Sequence, residues 1–112
     1  MVNTGESVVF IPHVPSRWDT VSKGRVPSLD LNPAALFGSF RVLVSDLDDM
    51  HKATSLIKHG LTGITQSDYV LAVGDPVLIA AAIAYACQHL GTVRVLRWSR
   101  RSHRYDVVEV TL

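Results

Sequence analysis

The sequence predicts a single α/β domain over residues 1–112, a mixed sheet of four or five strands with two main helices; α+β is the alternative class. Three observations lead there. The run 69–73 is apolar and β-prone, and it passes through Gly74-Asp75-Pro76 into the apolar stretch 77–90. That is a buried strand, a tight turn and a buried helix, with Asp75 at the N-cap and Pro76 at the first helical position. Strand and helix patterns alternate through the middle of the chain, which favours parallel strands joined by crossovers. The C-terminal end then carries two strand-like runs around a polar turn, the mark of a hairpin that makes the sheet mixed.

The elements follow in the order β-β-α-β-α-β-β. Residues 7–11, with Val8, Val9, Phe10 and Ile11, form a first strand stopped by Pro12 and Pro15. The segment 12–34, which holds Pro12, Pro15, Gly24, Pro27 and Pro33, reads as a long irregular loop. One helical turn is expected at 32–36, with Leu29, Leu31 and Leu36 pinning the segment to the core. A structureless stretch of that length is unusual in a compact domain, so it is functional or flexible. Residues 39–44 make a second strand. Ser45 then caps a helix with Asp46, Asp48 and Asp49 in its first turn, where the dipole favours carboxylates. Met50, Ala53, Leu56 and Ile57 recur at helical spacing, and Gly60 ends the helix. A polar turn, 65–68, precedes the strand 69–73.

The helix 76–90 carries alanines at 80, 81, 82, 84 and 86 beside Cys87, and it has almost no polar face. Such a helix is covered on more than one side, by a sheet and a second element or by another copy of the chain. Gly91 closes it. A right-handed parallel crossover then leads to the strand 92–98, the polar turn 99–104 and the return strand 105–112.

Composition bounds the function. With 47% hydrophobic and 19% charged residues, a core is available without disulfides. The single Cys87 lies in the apolar helix and is expected to be a buried, inert thiol. No signal-peptide pattern and no apolar run of about 18 residues is present, so a soluble protein with no membrane contact is expected. The net charge of +1 conceals a division. Asp46, Asp48, Asp49, Asp68 and Asp75 make the middle acidic, while Arg94, Arg97, Arg100, Arg101 and Arg104 make the C-terminal hairpin basic.

Most catalytic and metal patterns are missing. Neither G-x-G-x-x-G nor a P-loop follows a strand, and no G-x-S-x-G elbow is present. The histidines at 13, 51, 59, 89 and 103 lack zinc-site spacing; His51 and His59 are two turns apart on one helix with no third partner. The aspartates 46, 48 and 49 do not form a calcium-loop pattern. No metal, no cofactor and no enzyme activity are expected.

Two candidate sites stand out. Gly74 and Asp75 lie at the carboxyl end of a strand, where open α/β sheets bind ligands, and so form a candidate small-molecule or nucleotide site. Asp75 would repel a phosphate there, which favours its simple role as a cap. The other site is the hairpin: Arg94, Arg97, Arg100, Arg101 and Arg104 offer phosphate contacts, and Trp98 and Tyr105 offer rings for stacking. Its expected partner is a nucleic acid or an acidic protein surface.

Three stretches carry a resemblance. They are Leu29-Asp30-Leu31-Asn32-Pro33-Ala34-Ala35-Leu36-Phe37-Gly38, Asp68-Tyr69-Val70-Leu71-Ala72-Val73-Gly74-Asp75-Pro76, and Leu96-Arg97-Trp98-Ser99-Arg100-Arg101 followed by Tyr105. Together they resemble small uncharacterised proteins of tailed bacteriophages, especially short-tailed T7-like phages. Ser99 stands where that pattern has an acid, and Arg97 where it has lysine. The resemblance implies a phage-encoded accessory protein of the bacterial host cytoplasm and adds no catalytic residue. The expectation is therefore a non-enzymatic accessory protein that binds a host or phage macromolecule through the basic hairpin. A homo-oligomeric structural protein, joined through the alanine-rich helix or an edge strand, is a further alternative.

Overall fold

A computed structural model describes residues 7–27, 30–45 and 47–112. Its main sheet has five strands. They are β1 (Val8–His13), β4 (Ser39–Val44), β5 (Tyr69–Leu71), β6 (Thr92–Ser99) and β7 (Arg104–Thr111), in the spatial order β4-β1-β5-β6-β7. The first four run parallel, and β7 returns antiparallel along β6. The mixed α/β sheet with two helices, α1 (Met50–Gly60) and α2 (Pro76–Leu90), is the architecture that the pattern predicts.

The order in the sheet follows from the connections. From β1 the chain crosses to one side, to β4; from β4 it crosses back past β1 to β5. Crossovers of one hand in opposite directions must lie on opposite faces. On one face α1 and α2 cover Phe10, Val70, Val93 and Val95, with Ile57, Leu61 and Leu78 completing the core. On the other, Leu31, Ala34 and Phe37 cover Val9, Ile11, Leu71 and Leu96. Each fully buried Leu, Ile or Phe contributes about 1.5–3 kcal/mol of apolar burial, so the two-sided core carries the fold.

The segment 12–34 differs from expectation. It holds an antiparallel hairpin, β2 (Ser16–Asp19) and β3 (Gly24–Pro27), closed by a turn in which Asp19 Oδ2 accepts from the Ser22 amide at 2.9 Å and hydroxyl at 2.7 Å. These bonds hold the Asp19 carboxyl below its ordinary pKa. Period-two alternation was hidden because each strand has only four residues, with Pro15 just before β2 and Pro27 as the last residue of β3. The helical turn at Asn32–Leu36 forms, as a 3-10 turn with Pro33 at its start. Leu31 packs on the core, but Leu36 is 90% exposed and pins nothing. Leu29 lies outside the described residues.

Helix α1 begins later than expected. Asp49, not Ser45, is the N-cap: its carboxylate accepts from the Lys52 amide at 3.1 Å, and the first turn holds no acid. Leu47 explains the delay, because it is drawn onto the core ahead of the helix. Asp46 lies outside the described residues. Gly60 is the last helical residue rather than the residue beyond the end. A Cβ there would overlap the Leu43 side chain, so glycine lets α1 lie close to β4.

In α2, Leu78, Ala82, Ala86 and Cys87 face inward, and α1 packs alongside. Val77, Ala80 and Ala84 are exposed. The Cys87 thiol is buried and donates to the Val110 carbonyl at 3.4 Å. Asp68 is the buried carboxylate of the core rim. Its Oδ1 accepts from the Val8 amide at 2.9 Å, and its Oδ2 from the Thr65 amide and hydroxyl at 2.8 and 3.0 Å. It ties the 65–68 turn to the start of β1, the central region of the sheet.

Candidate functional site

Because β1, β4, β5 and β6 are parallel, their carboxyl ends share one edge of the sheet. Both candidate sites from the sequence lie along it.

The β6–β7 hairpin pairs in continuous register from Thr92↔Thr111 to Ser99↔Arg104. The tip turn is closed by the His103 amide donating to the Ser99 carbonyl at 2.8 Å, and His103 takes a φ of 54°. Arg97, Arg100, Arg101 and Arg104 are all exposed. Arg104 stands 4.0 Å from Asp106, an exposed pair worth little and easily given up to a stronger anion.

Strand alternation separates the hairpin's charges from its rings. Arg97, opposite Asp106, and Arg104, opposite Ser99, belong to the face that the helices cover further down the sheet. Trp98 and Tyr105, opposite each other, belong to the other face. Their rings meet edge to face at 5.1 Å, and His103 packs on Trp98 at 6.3 Å. Tyr105 is only 6% exposed, so it supports Trp98 from beneath and offers no free ring; Trp98 is 38% exposed. Burial, with the nearby Asp30 charge, raises the Tyr105 phenol above its ordinary pKa.

Arg94 is also set apart from the other arginines. It is half-buried on the Trp98 face, with its guanidinium carbon 4.1 Å from the centroid of the Tyr69 ring. Its Nε is buried and has no hydrogen-bond partner among the described residues. A cation held on a ring in this way braces β6 against β5 by about 0.5–2 kcal/mol. Of the seven residues grouped by sequence, the structure therefore gathers Arg97, Arg100, Arg101 and Arg104 at the ribbon's end. It sets Trp98 on the reverse face and places Arg94 and Tyr105 in packing roles.

At the second candidate, Gly74 adopts φ +105° against the end of β1. A Cβ there would overlap the His13 carbonyl oxygen and lie 2.8 Å from the His13 Cβ. Asp75 accepts from the Val77 amide at 2.8 Å and caps α2. The loops after β1 and β5 thus close on each other. The open space lies on the other side of β1, toward β4. A cavity of about 410 Å³ is lined there by His13, Pro15, Ser16, Arg25, Ser45, Leu47 and Asp48. Sequence reasoning missed these residues because four of them fall in the segment read as a loop. The signal was present in the topology: crossovers that leave β1 and its neighbours on opposite faces open a crevice at the carboxyl edge.

Among the described residues no cluster of three or more His, Cys, Asp or Glu could hold a metal ion, and no helix is long and apolar enough to cross a membrane. No curated protein and no solved structure matches the chain. Residues 7–112, nearly the whole chain, match a family described as phage Pam3 gp32-like protein. The chain accordingly belongs to the phage Pam3 gp32-like protein family.

Proposed function

We propose that this phage protein is a non-enzymatic accessory factor that acts in the host cytoplasm by binding nucleic acid through the end of the β6–β7 ribbon. The observation that carries the proposal is the set of four exposed arginines, Arg97, Arg100, Arg101 and Arg104, at a tip where Asp106 stands 4.0 Å from Arg104. A two-stranded ribbon fits the width of a duplex major groove, and arginines on its rim reach phosphates. Phosphate contacts dominate such binding, so it tolerates sequence and depends steeply on salt. The resemblance to proteins of short-tailed phages agrees with an accessory role during infection.

Fluorescence anisotropy with a labelled duplex of arbitrary sequence tests this. The wild-type chain is expected to bind, and the variant with Arg97, Arg100, Arg101 and Arg104 all changed to Ala is expected to lose at least about tenfold in affinity. Equal binding by the two proteins would remove the hairpin from the interface. Polyglutamate competing as well as the duplex would replace nucleic acid with an acidic protein surface as the partner.

A further inference from the structure

The crevice between the carboxyl ends of β1 and β4 has a chemistry of its own. Its lining brings together His13, Arg25, Ser16 and Ser45, with Pro15 and Leu47 as apolar walls and Asp48 in the same lining. Its volume, about 410 Å³, lies within the range of small-molecule sites. His13 Nδ1 is buried without a hydrogen-bond partner among the described residues, so that nitrogen does not open onto the crevice. Arg25 spends one nitrogen on the Ser16 carbonyl and hydroxyl, both at a long 3.4 Å, and its remaining N–H groups form a fork suited to a phosphate. The connections after β4 and β5 both leave on the face opposite to the one after β1; Gly74 closes the gap on the β5 side, and the gap on the β4 side stays open as this crevice.

We infer that this crevice binds a phosphomonoester on a hydroxyl-bearing carbon skeleton, as in a ribose 5-phosphate unit. Arg25 and the two serine hydroxyls take the phosphate oxygens, and the Asp48 carboxylate accepts from a sugar hydroxyl. A bare phosphate would meet Asp48 as a like charge, which is why the skeleton is part of the assignment. The site is separate from the ribbon tip, which lies about 10 Å or more away along the same edge, since β5 stands between β1 and β6.

Amide chemical-shift titrations with ribose 5-phosphate, AMP and inorganic phosphate test the assignment. Ribose 5-phosphate or AMP is expected to saturate shifts at His13, Ser16 and Ser45, with affinity about tenfold weaker in Arg25→Ala. The same affinity is expected in the variant lacking the four hairpin arginines, so the result stands apart from the nucleic-acid proposal. Equal affinity for both organic ligands identifies a sugar phosphate, and a preference for AMP identifies a nucleotide; either supports the site. Three results overturn it: no saturable shift up to about 10 mM of either ligand, unchanged binding in Arg25→Ala, or inorganic phosphate binding as tightly as both. Arg25 is exposed on a hairpin, so its replacement is not expected to unfold the chain.

Discussion

Gly74 shows how one position can hold two loops together. Its φ of +105° is strained for any residue with a side chain, and a Cβ would enter the His13 backbone. Gly74→Ala is therefore expected to lower stability by about 3 kcal/mol or more, seen as a fall of about 10 °C or more in melting temperature. Tyr105 gives a prediction in pH. Burial and Asp30 raise its pKa in the folded chain, so folding favours the neutral phenol. That stability is fully present below the ordinary phenol value of about 10 and is lost as pH rises from there through the folded value. Denaturation midpoints measured on either side of pH 10 should fall less steeply in Tyr105→Phe than in the wild type. At this scale the sequence was partly legible. Asp75 and Pro76 announced a helix start from their own neighbours, and the cap is there. Asp68 looked like a turn residue, and its bond to the Val8 amide, sixty positions away, leaves no local trace.

The elements were legible wherever periodicity ran long enough to average out exceptions. Helix α2, strands β6 and β7 and their hairpin follow from the pattern with boundaries within a residue or two. Two places were not. The β2–β3 hairpin is too short for its alternation to stand out among prolines. The start of α1 was misplaced because five residues, Ser45 to Asp49, hold four plausible caps, and only the packing of Leu47 decides among them. Replacing the observed cap tests that decision: Asp49→Ala should cost about 1 kcal/mol, and Ser45→Ala should leave stability within about 0.5 kcal/mol, by urea denaturation. The hairpin site was legible as a charge cluster. Its division into two faces was not, because the notion of rings beside arginines overlooks that Arg97 and Trp98 are consecutive in a strand and so point apart.

On the scale of the whole molecule, one edge of the sheet collects the chemistry. Parallel strands bring the end of β1, the β2–β3 hairpin and the β6–β7 tip to the same side. The net charge of +1 gives no hint of this, since several of the aspartates are spent on caps and turns away from the ribbon, as Asp19, Asp49, Asp68 and Asp75 are. A nearly neutral protein can thus present a basic ribbon end, and its attraction for a polyanion is local. The most direct measurement is the salt dependence of duplex binding in the wild-type chain and in the variant lacking Arg97, Arg100, Arg101 and Arg104. Four phosphate contacts predict that the slope of log affinity against log salt becomes shallower by about 3 to 4 in the variant. Equal slopes in the two proteins would contradict the assignment of the ribbon as the nucleic-acid interface.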